Sequence, residues 1–177
     1  MVQKNYKKIN VAFIVSSNSA WLGEQNYFAS LLGSINELDD RNFNFYIFTG
    51  LDENFFTQNK YKKLKFIRSR LFNKNGPFSI CKKIISFFFK RYDPILLSLF
   101  KKYSINILSH YKPIYGVKNL TWFPDFQHIH LSKYFSQEEI ISRDKMYLNY
   151  IKFSDKFIVS SESAKKDLIK FENIYKF

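Results

Sequence analysis

A single cysteine, Cys81, stands in a chain of 177 residues. It excludes an internal disulfide framework and leaves too few thiols for a zinc finger or an iron–sulfur cluster. No stretch reaches the roughly 18 uncharged apolar residues that a membrane-crossing helix requires. The N-terminal residues, Met1 to Lys8, are basic but run straight into a strand-like segment instead of a signal-peptide core. Internal repeats, low-complexity linkers, Walker loops, Gly-x-Gly-x-x-Gly turns and Gly-x-Ser-x-Gly elbows are all missing. These absences point to a cytoplasmic chain, soluble or lying on a membrane surface.

Acids are scarce too: 15 Asp and Glu face 28 Lys and Arg, for a formal net charge of +13. Aromatic residues are abundant, at 20% of the chain. The hydrophobic share of 46% and the charged share of 24% are those of a globular protein, and the length suits one domain with its own core. The charge is concentrated. Between Lys60 and Lys102 stand 13 basic residues and one acid, Asp93. Within that window Ile80, Cys81, Ile84, Ile85, Phe88 and Phe89 recur at helical spacing, with Lys82, Lys83, Lys90 and Arg91 largely off that face. The pattern fits a helix packed on the core with a basic solvated side. Second to that, it fits a helix lying on an anionic membrane surface. No signature of specific nucleic-acid recognition accompanies it.

Along the chain, Ile9 to Val15 is a nearly continuous apolar run, the pattern of a strand buried on both faces of a parallel sheet. A polar loop follows, and Tyr27, Phe28, Leu31, Leu32, Ile35 and Leu38 mark one face of a helix over 24–38. Phe43 to Phe48 reads as a second strand and Leu64 to Arg68 as a third. Helices are predicted over 79–91 and after Pro94, and strands over 105–109 and 119–123. Ser136-Gln137-Glu138-Glu139 has the form of a capping box opening a helix to about Phe153. A strand over 156–159 and a helix from Ser161 to about Phe171 close the series. Strands alternating with helices predict an α/β domain with a mostly parallel sheet, a single domain over 1–177.

In such sheets ligands bind beyond the carboxyl ends of the strands. Trp21-Leu22-Gly23-Glu24-Gln25-Asn26-Tyr27 occupies that position after the first strand, where Gly23 admits close approach of backbone amides to a ligand. An ordinary turn reads the same way. Trp122-Phe123-Pro124-Asp125-Phe126-Gln127-His128-Ile129-His130-Leu131 occupies it after a later strand and gathers two of the three histidines beside a carboxylate. An imidazole near an Asp can orient or deprotonate a substrate hydroxyl. The bland counterpart is an Asp capping a turn, with histidines packed on aromatics. Without fixed helical spacing, two His and one Asp do not make a metal site.

The first of these motifs, followed by its apolar helix, resembles the start of GT-B glycosyltransferases of family 4. The second is more specific. Together with Phe135-Ser136, Arg143-Asp144 and Ser160-Ser161-Glu162-Ser163-Ala164, it is similar to a bacterial group within that family. Two departures stand out: Gly23 is followed by Glu24 where a further glycine is common, and Pro124 stands where many relatives carry His.

The resemblance implies a Rossmann-like three-layer domain, the N-terminal, acceptor-binding half of a GT-B enzyme. Its function would be sugar transfer from a nucleotide-sugar donor to a surface-glycan or lipid-linked acceptor, with Asp125 and His128 catalytic. Gly23, Asn26, Gln127 and His130 would bind substrate, and Lys82, Lys83, Lys90 and Arg91 would meet an anionic membrane at the inner face of the plasma membrane. No cofactor is expected. The donor would be a co-substrate held mainly by a C-terminal nucleotide-sugar domain absent from this chain, which would leave the isolated chain inactive. The alternative is a catalytically silent module, truncated or one part of a split enzyme whose C-terminal half is a separate partner.

Overall fold

The computed structural model describes residues 8–15, 22–39, 42–51, 60–73, 93–110 and 112–175. The helix expected over 79–91, with Lys82, Lys83, Lys90 and Arg91, lies outside the described residues, as does Trp21. The strands are β1 (Ile9–Ile14), β2 (Phe43–Thr49), β3 (Lys65–Arg68), β4 (Ile107–His110), β5 (Lys118–Phe123) and β6 (Lys156–Val159). The helices are α1 (Leu22–Glu37), α2 (Pro94–Lys102), α3 (Gln127–His130), α4 (Gln137–Phe153) and α5 (Glu162–Tyr175). The fold is α/β and Rossmann-like, as the sequence predicts: one all-parallel, six-stranded sheet in the order β3-β2-β1-β4-β5-β6, flanked by helices. Packing divides the chain into two compact units, one ending at Leu108 and the other starting at Ser109.

In the first unit the apolar runs of β1 and β2 are continuous because both faces of these strands are covered. Val11, Phe13 and Val15 of β1 and Ile47 of β2 pack with Phe28, Leu32 and Ile35 of α1 and with Tyr61 and Leu64. The next residue of β2, Phe48, points the other way, and its ring meets Phe72, Phe100 and Tyr103 at 5.4–5.8 Å between centroids. Phe48 is fully buried. Pro94 starts α2 in the position where its missing N–H costs nothing, and the Asp93 carboxylate accepts from Leu96 N at 2.9 Å.

The amino ends of β1, β2 and β3 are tied by a polar ladder. Asn44 Nδ2 donates to Asn10 Oδ1 at 2.8 Å, and Lys65 Nζ donates to Asn44 Oδ1 at 3.3 Å. Asn10 Nδ2 in turn donates to the carbonyls of Tyr103 (3.1 Å) and Ser104 (3.0 Å), in the turn that leads from α2 toward β4. Ser104 sits at φ 51°, the left-handed conformation that commonly ends helices.

In the second unit β5 and β6 pair in parallel from Leu120↔Lys156 to Phe123↔Val159. Phe123 and Phe126 pack with Tyr147, Tyr150 and Ile151 of α4 and Leu168 and Phe171 of α5. The capping box expected at α4 is present: Glu139 N donates to Ser136 Oγ (3.2 Å) and Ser136 N to Glu139 Oε2 (2.8 Å). These bonds hold the Glu139 carboxyl below its ordinary pKa. Asn119, buried at the start of β5, closes the turn before it. Its Oδ1 accepts from Ile114 N at 2.8 Å, and its Nδ2 donates to the Ile114 and Val117 carbonyls at 2.9 and 2.8 Å. Gly116 lies inside this turn at φ 94°, a conformation that side chains resist.

Removing that amide strands one buried donor and two acceptors. Asn119→Ala is expected to cost about 2–3 kcal/mol. The check is urea unfolding, with a lowered midpoint and an unchanged slope.

Candidate functional site

The stretch after β5 is built by aromatic packing. Phe123 and Phe126 lie parallel, 6.2 Å apart with 2° between planes, and both are buried. Anchoring both rings pushes Pro124 and Asp125 to a half-buried rim at the carboxyl end of the strand. Ser160 Oγ donates to the Pro124 carbonyl at 2.9 Å, and Tyr147 Oη to the Asp125 carbonyl at 2.8 Å. The side chain of Asp125 turns onward, where its Oδ1 accepts from Gln127 N at 3.1 Å and opens α3. Among the described residues Asp125 Oδ2 has no hydrogen-bond partner.

The segment expected to be a loop therefore contains one helical turn, α3, and this turn sends its two histidines to different carboxylates. His128 is fully buried, and its Nε2 lies 3.1 Å from Asp144 Oδ1 on α4. A carboxylate only accepts, so Nε2 carries the proton, and in the neutral ring Nδ1 is a bare acceptor. Nδ1 has no hydrogen-bond partner among the described residues. Asp144 Oδ2 also accepts from Tyr175 Oη at 3.0 Å, which joins α3, α4 and α5 through one carboxylate. The exposed His130 places Nε2 2.9 Å from Asp167 Oδ2 on α5.

Burial sets the electrostatics. It pushes the His128 pKa below its ordinary value, against the opposing pull of Asp144, while Arg143 adds to the lowering. Burial likewise raises the Tyr147 and Tyr175 hydroxyls above their ordinary range, and for Tyr175 the bond to Asp144 adds to this. The Tyr147 ring stands edge-on to the imidazole, 5.2 Å between centroids. Arg143 reaches the other way, its guanidinium 4.7 Å from the centre of the Phe135 ring.

Of the residues singled out from sequence, Asp125, Gln127, His128 and His130 fall in one short stretch of the second unit. Gln127 and His130 are exposed, Asp125 is half-buried and His128 is enclosed. The carboxylate that engages His128 is Asp144. Gly23 and Asn26 are exposed near the start of α1 in the first unit. The sequence reading missed Asp144, Tyr147, Asp167 and Tyr175 as partners. Helical spacing carried a signal for two of them, since Asp144 and Tyr147 are three residues apart on α4 and share a face. Among the described residues no group of three or more His, Cys, Asp or Glu side chains could hold a metal ion. An open groove of about 430 Å³ lies on α5 against Lys166, Ile169, Lys170, Asn173 and Ile174, and none of the candidate residues lines it.

No family model matches the chain, and no curated protein matches it.

The burial of His128 has a pH consequence. Its folded pKa lies below the unfolded value of about 6.5, so under mildly acidic conditions the unfolded chain takes up a proton that the folded chain refuses. Stability is then full above that value and falls as pH drops below it. A loss of stability is expected between about pH 7 and 5.5. His128→Gln should flatten that stretch of the profile in urea titrations at each pH, and a variant as steep as the parent would remove His128 as the cause.

Proposed function

We propose that the chain serves the acceptor side of a sugar transfer, from a nucleotide-sugar donor to a surface-glycan or lipid-linked acceptor. The observation that carries this reading is Asp125. Its backbone is clamped by Tyr147, one carboxylate oxygen is committed to opening α3, and the other, at a strand's carboxyl end, has no hydrogen-bond partner among the described residues. Rossmann-like sheets bind ligands at that edge. A carboxylate fixed there can orient an acceptor hydroxyl or take its proton. The sequence resemblance supplies the reaction class, by analogy.

In this reading His128 is a positioning residue. Enclosed and bonded to Asp144, it packs against Tyr147, which holds Asp125. Gln127 and His130, both exposed, flank the acceptor, while Gly23 and Asn26, exposed near the start of α1, are separate substrate-binding candidates of the first unit. Lys82, Lys83, Lys90 and Arg91 add peripheral attachment at the inner face of the membrane.

A second reading, a catalytically silent binding module, is favoured by one observation: both histidines of α3 are engaged with carboxylates of the same unit. Gene deletion in the source organism separates the two. Under the first reading the surface glycan loses a sugar, the parent gene restores it, and Asp125→Ala, expressed at the parent level, transfers about 100-fold more slowly. An unchanged glycan in the deletion strain would contradict sugar transfer, and full restoration by Asp125→Ala would remove that carboxylate from the chemistry.

A further inference from the structure

The described part of the basic window gathers its lysines at one edge of the first unit. Lys60, Lys62 and Lys63 precede β3, Lys65 begins it, and Lys101 and Lys102 end α2. All six are exposed. The hydrogen-bonded ladder from Lys65 through Asn44 and Asn10 to the carbonyls of Tyr103 and Ser104 places the start of β3 and the end of α2 along the same amino edge of the strands. Lys63 Nζ donates to the Leu38 carbonyl at 2.8 Å, which adds the end of α1 to that edge. The described acids nearby are Glu37 and Asp39 of α1 and its exit, and no ion pair among the described residues joins either to a lysine. The Asp93 carboxylate is committed to the start of α2.

We infer that this amino edge docks on an anionic lipid surface. Two observations favour a bilayer over nucleic acid. Among the described residues the edge carries lysines and no arginine, and ammonium groups suit a diffuse field of headgroup charge better than forked contacts to individual phosphates. Its tyrosines also offer little free face for stacked bases. Lys65 Nζ lies 5.0 Å from the centre of the Tyr46 ring and Lys102 Nζ 5.6 Å from that of Tyr103, and the two rings lie 5.9 Å apart. Base-binding surfaces need such faces open, whereas lysine stems laid along half-buried tyrosines are an arrangement suited to a membrane interface. The inference does not rest on sugar transfer. The carboxyl ends of β1, β2 and β3 face away from this edge.

Vesicle co-sedimentation of the full chain tests this, with phosphatidylcholine alone and with 30% phosphatidylglycerol added. Binding is expected only with the anionic lipid and is released by 0.5 M salt, on the order expected for screened headgroup attraction. Lys65→Glu with Lys102→Glu should weaken it about tenfold or more, while Lys156→Glu with Lys166→Glu in the second unit should change it about twofold or less. Thermal melts establish that the variants fold. Should the first pair melt early, Lys101→Glu with Lys102→Glu at the exposed end of α2 carries the same expectation. Binding without anionic lipid, equal loss in both pairs, or retention in the amino-edge pair overturns the inference. Tighter binding to a 30-nucleotide duplex than to the vesicles overturns it in favour of nucleic acid.

Discussion

The second unit is tied together by one part-buried hydrogen bond, from the enclosed His128 imidazole to Asp144. A fully enclosed imidazole is cut off from bulk solvent, and its Nδ1 has no hydrogen-bond partner among the described residues, so the bond at Nε2 is the one that makes its burial tolerable. Asp144 can hold that bond because it lies part-way along α4, where the capping box fixes the helix start and hence the side chain's direction. The same carboxylate accepts from Tyr175, so the ends of α5 and α3 are referred to a single atom group. Bonds of this kind, with one charged partner, contribute more than neutral ones, roughly 1.5–3 kcal/mol each.

From that bond the order propagates to the rim. The His128 ring packs against Tyr147, and Tyr147 has its hydroxyl on the Asp125 carbonyl. The position of Asp125 is therefore set by the core beneath it. A flexible loop would lose a carboxylate's orientation to conformational entropy, whereas here the packing of Phe123, Phe126 and Tyr147 has already restricted it. His128 thus acts on the site from below.

Much of the fold was legible because its signals are local. The run of β1 read as a doubly covered strand and that of β2 as a second strand, the Ser136–Glu139 box set the start of α4, and Pro94 set that of α2. The site was legible only in part. Four residues of α3 are too few to show a helical period, so the segment read as a loop. The partners of its histidines come from 16 and 37 residues further along the chain, a separation that no local pattern encodes. Tyr175 was within reach: the buried series Ala164, Leu168, Phe171 continues to it at helical spacing, past the expected helix end near Phe171.

The clustering of histidines in the sequence thus conceals two unequal roles. The pair of His130 and Asp167 is more than half exposed at the histidine, and solvent-exposed ion pairs contribute little. The pair of His128 and Asp144 is enclosed at the histidine, where losing one partner strands the other. Neither imidazole is thereby a free base at the rim. Asp125, which read from sequence as one member of a histidine-centred group, keeps there an oxygen with no hydrogen-bond partner among the described residues. In the folded chain the histidines are committed to packing, and the chemistry proposed for this edge centres on the aspartate.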